Sequence, residues 1–403
     1  MDQNFLLKPV LVLIVMVALL LGRPPQAEAQ AGLVVQDVLV THTFGKQITF
    51  QARLVSSIPI TQASLMFRES NESVTRVEPL TPDANGVVSF RYDAAQNVLP
   101  PFSTIVYWFQ ATLSDGITQT STAGDYFYDD NRFPWQQTAQ DQLTVHWYDG
   151  DAAFGQAALD AARAGLNAIS QVLPLTLDAP LGVYVYSNAD DLQGALFLGG
   201  KQWTGGHADP TLGVAMVAIA PGPAQGIQME TDIPHELAHV MLYRDLGDIG
   251  YRRLPTWLNE GVASMVELYP KADYANALAI ASKNGSLLPF SELCASFPPD
   301  SGRAYLAYAQ SQSFVRYLRD TYGTTGLIAL TKAYTDGLDC ELGPTRAFGV
   351  PLSQLDTRWR ESVLGQNVFG VALFNLSPYI LVMVLALLFP LWGGIKMLRE
   401  RKK

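Results

Sequence analysis

His235 and His239 stand four residues apart in the run TDIPHELAHVMLY, residues 231–243. On a helix that spacing rotates the side chain by only about 40°, so both imidazoles face the same way. Two neutral imidazoles on one face can hold a zinc ion at roughly 2.0–2.1 Å each. Glu236 sits where its carboxylate can reach a water on that metal without being forced to ligate it. This is the HExxH arrangement, with the glutamate as general base. The chain carries only five histidines, which makes a chance match on a buried amphipathic helix a poor explanation.

A catalytic zinc usually takes three protein ligands and leaves one position to water. Glu260 follows His239 after twenty intervening residues, within PTWLNEGVA, residues 255–263. HELAH followed by WLNEG-x-A resembles the gluzincin zinc metallopeptidases, the peptidase-MA-like family. The resemblance covers roughly 143–364 and implies an α+β domain. It also implies a second helix antiparallel to the first, whose Glu260 completes a His235–His239–Glu260 zinc site. The implied chemistry is metal-assisted hydrolysis of a peptide or protein substrate, with Glu236 moving the water proton to the leaving amine. Asn259 is expected to orient the second helix or its ligand.

Further along, the run A-Y-A-Q-S-x-S-F-V-R-Y-L, within 301–322, resembles the downstream helix of the same family. Related enzymes place a Tyr or His there to stabilise the oxyanion. Tyr308 is the first candidate and Tyr305, three residues earlier, the second; core packing of both aromatics is the competing reading. The glycine-rich stretch 199–207 either covers a cleft, with His207 touching substrate, or is a plain surface loop. The resemblance also implies that strand 212–220 is the edge strand that pairs with extended substrate. The amine-binding G-x-M-E-N motif of related aminopeptidases is not in its expected place. Gly226-Ile227-Gln228-Met229-Glu230 lies only five residues before the HExxH and lacks the Asn. An endopeptidase is therefore favoured over an aminopeptidase, with a non-catalytic binding protein on a relic peptidase fold as the remaining alternative.

The 403 residues are enough for two domains of ordinary size. Residues 31–135 alternate with period two at Ile48, Phe50, Ala52 and Leu54, again at Val88, Phe90 and Tyr92, and again at Tyr107, Phe109, Ala111 and Leu113. With an Asn85-Gly86 turn signal, they read as an all-β immunoglobulin-like sandwich, a spacer or a binding module, in which His42 is an ordinary strand histidine. A linker is expected at 131–140 and the metallopeptidase domain at 141–365. Within that domain, strands are expected at 143–148 and 181–186, and helices at 151–169 and 189–198. The HExxH helix is expected from Asp232 to Tyr243, with Pro234 in its first turn and a loop at 244–254.

Both ends are apolar. Residues 1–29 read as a secretory signal peptide ending in Ala27-Glu28-Ala29, or as an uncleaved anchor. Residues 368–395 are long enough for a transmembrane helix across a core of about 30 Å, and the basic tail 396–403 reads as a positive-inside stop. The expectation is a single-pass cell-membrane protein with its catalytic domain extracellular. The last eight residues carry five positive and one negative charge, and residues 1–29 balance to zero. Of the formal −10, the intervening part thus holds about −14, which argues against nucleic acid as a partner. Cys294 and Cys340 are the only cysteines. Outside the cell they can pair, closing a loop whose bridging contributes on the order of 4 kcal/mol; two free buried thiols are the other reading.

Overall fold

Alternation in the N-terminal part becomes two antiparallel sheets. The computed structural model describes residues 32–175, 177–196, 206–269, 271–366, 376–386 and 388, and the chain divides into two units after Arg132. In the first unit the strands are β1 (Val34–Thr43), β2 (Gln47–Val55), β3 (Ile60–Glu69), β4 (Arg76–Leu80), β5 (Val87–Asp93), β6 (Ser103–Leu113), β7 (Thr118–Thr120) and β8 (Gly124–Tyr128). One sheet has the order β1-β2-β5; the other runs β4-β3-β6, with β7 and β8 both paired to β6. Ile48, Phe50, Ala52 and Leu54 are all buried, as are Leu65 and Phe67 of β3 and Phe109 of β6. Phe67 receives Phe50 and Tyr92 at ring-centre distances of 5.2 Å each, so the two sheets share one aromatic core. The Asn85-Gly86 turn needs its glycine: φ is +75°, and a Cβ there would meet the Leu54 carbonyl oxygen at 2.5 Å. His42 is structural, with Nδ1 2.7 Å from the Tyr126 hydroxyl and Nε2 2.8 Å from the Asp129 carbonyl.

The second unit opens with β9 (Gln136–Gln140), β10 (Leu143–Trp147), α1 (Ala152–Val172), β11 (Leu181–Tyr186), α2 (Ala189–Leu196), β12 (Gly206–Asp209) and β13 (Val214–Ala218). The sheet order is β12-β13-β11-β10-β9. Its three central strands are parallel and its two edge strands antiparallel. Two expectations change here. Half of the expected linker is strand β9, whose polar, exposed side chains give no alternation to read. The strand expected at the edge, β13, is internal, and the edge belongs to β12 from the end of the glycine-rich stretch. Residues 199–205 of that stretch lie outside the described residues.

Helices complete the unit: α3 (Gln225–Arg252), α4 (Thr256–Met265), α5 (Ala272–Asn284), a 3-10 turn at Phe290–Leu293, α6 (Ser301–Thr335), α7 (Leu342–Phe348) and α8 (Leu352–Ser362). Helix α1 is capped by Asp151, whose carboxylate accepts the Phe154 N–H at 2.9 Å. It approaches α3 through Gly165, where a Cβ would come within 2.8 Å of Pro234 Cβ. Helix α3 starts seven residues before the expected position and continues through the expected loop, broken only at Gly247 (φ 67°, ψ 172°). Pro234 therefore lies inside a helix, where it cannot donate to the carbonyl of Glu230 four residues back. That carbonyl accepts the Leu268 N–H instead, at 2.8 Å.

Cys294 and Cys340 are bonded, with Cα atoms 6.0 Å apart. The bridge lies against the start of α4: the Thr256 N–H donates to the Cys294 carbonyl at 2.9 Å, and Trp257 Nε1 donates to Cys340 Sγ at 3.3 Å. Trp257 is fully buried against Phe290 and Phe314. The expected signal peptide and basic tail lie outside the described residues, as does much of the expected membrane span. Within that span, residues 376–386 are helical with exposed apolar side chains. Among the described residues no helix is long and apolar enough to cross a membrane. Replacing both cysteines by serine is expected to lower the unfolding free energy by about 2–4 kcal/mol, read from urea unfolding of oxidised wild type and the double variant.

Candidate metal centre

Helix α3 carries His235 and His239 on one face, their ring centres 5.1 Å apart. Helix α4 presents Glu260 to both. Its Oε2 lies 3.4 Å from His235 Nε2 and 3.6 Å from His239 Nε2. One ligand atom from each residue falls within 4.8 Å of the other two. Glu260 Oε2 is buried and accepts no hydrogen bond among the described residues. Three lone-pair atoms thus converge in a buried space with no donor between them, an arrangement that calls for a cation. Two imidazole nitrogens and one carboxylate are a donor set that suits zinc.

The remaining ring nitrogens fix the tautomers. His235 Nδ1 is 3.1 Å from Glu267 Oε1, and a carboxylate there can only accept, so Nδ1 carries the proton. His239 Nδ1 is 3.1 Å from Asn259 Oδ1, with the Tyr251 hydroxyl at 3.4 Å. Each outer hydrogen bond leaves an Nε2 lone pair aimed at the centre, which is how outer partners orient histidine ligands. A proton competes with a cation for the same place. Burial works against a charged His235, yet the carboxylates of Glu260 and Glu267 outweigh it and lift its pKa to about 10. Burial also opposes a charged Glu260, but the two histidines hold it well below the usual carboxylate range.

Glu236 is buried and lines a cavity of ≈ 320 Å³ together with Gly206, His235 and Tyr308. Burial raises its pKa, opposed by His235 and His239. Gly206 of β12 packs directly on it: a Cβ at that position would come within 2.8 Å of Glu236 Cδ. Tyr308 sits with its ring centre 6.1 Å from that of His235. Burial, with Glu260 and Glu236 nearby, pushes its phenol up. Tyr305 instead stands further out on the cavity wall, edge-on to Tyr274 at 4.9 Å. His207 lies on β12 opposite Met216, where burial lowers its pKa.

The sequence reading anticipated the three converging residues; it expected Asn259 to orient its own helix or Glu260, whereas Asn259 contacts His239 of the other helix, and it missed Glu267 and Tyr251. Tyr251 lies in what was expected to be loop. Glu267 lies past the end of α4 and is brought to His235 by the Leu268–Glu230 backbone bond. The only sequence signal for that bond is a proline inside a helix.

Gly261, next to the ligand Glu260, has a packing reason. A Cβ there would meet Ser311 O at 2.6 Å and Ser311 C at 2.9 Å on α6, and backbone atoms cannot step aside cheaply. Gly261→Ala is expected to cost about 1–3 kcal/mol and to weaken metal binding by displacing α4, checked by unfolding and by zinc titration against a competing chelator.

No curated protein matches this chain. Among solved structures, one described as a myokine structure is similar at 10% identity, over 25% of this chain and 99% of that one, with a TM-score of 0.20. A family 56 carbohydrate-binding module, a β-1,3-glucan binding domain, is similar at 18% identity over 23% and 98%, TM-score 0.17. The cycloalternan-degrading enzyme from Trueperella pyogenes is similar at 19% identity over 27% and 13%, TM-score 0.17. Likeness at this level carries no argument about function. The family model of the Peptidase MA superfamily matches residues 161–365, a stretch that holds β11 to α8 and all three converging side chains. This chain belongs to the Peptidase MA superfamily.

Proposed function

We propose that this protein is a zinc-dependent endopeptidase that hydrolyses peptide bonds with Glu236 as general base. The observation that carries this reading is the convergence of His235 Nε2, His239 Nε2 and the donor-free Glu260 Oε2 beside a cavity that Glu236 lines. Zinc, when bound by these three residues, would supply Lewis-acid polarisation of an amide carbonyl and acidify the attacking water.

The chain's own groups do the rest. Glu236, its pKa raised by burial, takes a proton from the attacking water and returns it to the leaving amine. A general base works best with a pKa nearer the working pH, and burial moves Glu236 that way. The Tyr308 phenol stays protonated, because burial and the nearby carboxylates disfavour its anion, and it donates to the oxygen that gains charge. The outer edge of β12 gives an extended substrate backbone groups to pair with. Cleavage within a chain is favoured because the aminopeptidase amine-binding motif is not where related enzymes carry it.

The protein works tethered to the cell membrane by the apolar stretch 368–395, with the catalytic unit outside. The basic residues after that stretch and the Cys294–Cys340 bond support this placement, since disulfides persist in oxidising compartments.

Glu236→Gln is expected to retain zinc and to lose about 10²–10⁴-fold in kcat, whereas Glu260→Ala weakens zinc binding itself. Metal analysis and peptide turnover on the same preparations separate the two; full activity in zinc-loaded Glu236→Gln would refute the assignment. The three atoms that a Gly206→Ala methyl would meet first all belong to the Glu236 side chain. The variant's unfolding free energy is therefore expected to stay within about 0.5 kcal/mol of wild type, while kcat falls on the order of 10²-fold.

A further inference from the structure

The cavity beside the metal ligands contains more charge than the reaction uses. Asp232 lies one helical turn before Glu236 on α3, so the two carboxylates share a face, with Cβ atoms about 5–6 Å apart on an ideal helix. Both line the cavity, together with Lys271, Tyr274 and Tyr305. Among the described residues no hydrogen bond or ion pair engages the Asp232 carboxylate, and burial raises its pKa to about 6 with Lys271 and His235 opposing. Among the described residues that line the cavity, the one ammonium is already held. Lys271 Nζ lies 3.2 Å from Glu267 Oε1, whose side chain is wholly buried, and 5.5 Å from the centre of the Tyr274 ring. One cation therefore faces two carboxylates. A recess adjoining the cavity shares Asp232, Lys271 and Tyr305 and adds the exposed Asp273, a further negative charge. Tyr274 and Tyr305 supply aromatic faces that suit an aliphatic stem ending in a cation.

We propose that this cavity is the subsite for a basic substrate side chain, lysine or arginine, and that Asp232 is the carboxylate that selects it. The inference rests on the peptidase reading for its substrate being a peptide. A side chain one helical turn from Glu236 belongs to a residue next to the scissile bond, so the preference falls on one of the two positions flanking that bond.

The test uses the full chain and N-acetylated, C-amidated fluorogenic peptides that carry Lys, Arg, norleucine or Glu at each flanking position. For wild type, kcat/KM for Lys or Arg is expected to exceed that for norleucine by about tenfold or more at one position. Asp232→Asn brings that ratio close to one, Asp232→Glu restores part of it, and Asp232→Lys favours Glu. The ratio is the informative readout, because damage to the fold lowers turnover of all peptides together. The same ratio in wild type and Asp232→Asn, or a wild-type preference for Glu, overturns the proposal. A basic preference that appears only with an unblocked N-terminus assigns Asp232 to the α-amine and overturns the side-chain subsite. If wild type cleaves none of the peptides, the peptidase reading fails by itself, and fluorescence anisotropy with the same peptides decides the subsite. Lys peptide bound about tenfold tighter than norleucine peptide, with the difference lost in Asp232→Asn, sustains it; equal binding removes it.

Discussion

A buried carboxylate oxygen facing two imidazole lone pairs, with no hydrogen-bond donor between them, is the constraint on which the catalytic unit depends. Glu260 Oε2 lies within 3.6 Å of both Nε2 atoms, and the three groups arrive from two different helices. Taking a carboxylate out of water costs several kcal/mol unless a partner compensates. Either protons or a divalent cation must occupy this centre. The outer hydrogen bonds orient the rings for either occupant: Glu267 and Asn259 accept from Nδ1 and turn both Nε2 atoms towards the centre.

Holding that centre together is mostly a backbone matter. Pro234 breaks one hydrogen bond within α3 and so releases the Glu230 carbonyl, which fastens Leu268 and brings Glu267 against His235. Gly165 lets α1 close on the same proline, and Gly261 lets α4 close on α6. The Cys294–Cys340 bridge anchors the start of α4 through Thr256 and Trp257. Each device acts on one of the two helices that carry ligands. A shift of either helix by about 1 Å would spoil the geometry far more than it would spoil the packing.

The legible parts of the sequence were those set by local periodicity. The four-residue spacing of His235 and His239 needs only a helix, and the alternation at Ile48–Leu54 needs only a sheet with one dry face. Strand β11 was read at its observed bounds, because an apolar run between turns leaves little freedom. The failures share one cause, which is that long-range contacts override local rules. Pro234 marks a helix start by local preference, yet a distant amide satisfies the carbonyl it frees, and the helix extends through it. Strand β9 is polar on both faces because it forms an edge, so it reads as linker. Strand β13 reads as an edge only while β12, four residues at the end of a glycine-rich run, goes unrecognised. Glu267 has no fixed spacing to its partner.

Charge around the centre points the same way as its geometry. Glu236, Glu260, Glu267 and Asp232 gather about two histidines and Lys271, an excess of carboxylates among largely buried groups. Such a cluster would ordinarily drive one or more of these groups to take up protons. A divalent cation would offset part of that excess at the ligands, with burial the largest influence on Glu236. The residual negative charge then sits at Asp232, which lines the same cavity. An incoming cation on a substrate would complete the balance, so the electrostatics that make the site costly to fold also give it something to recognise.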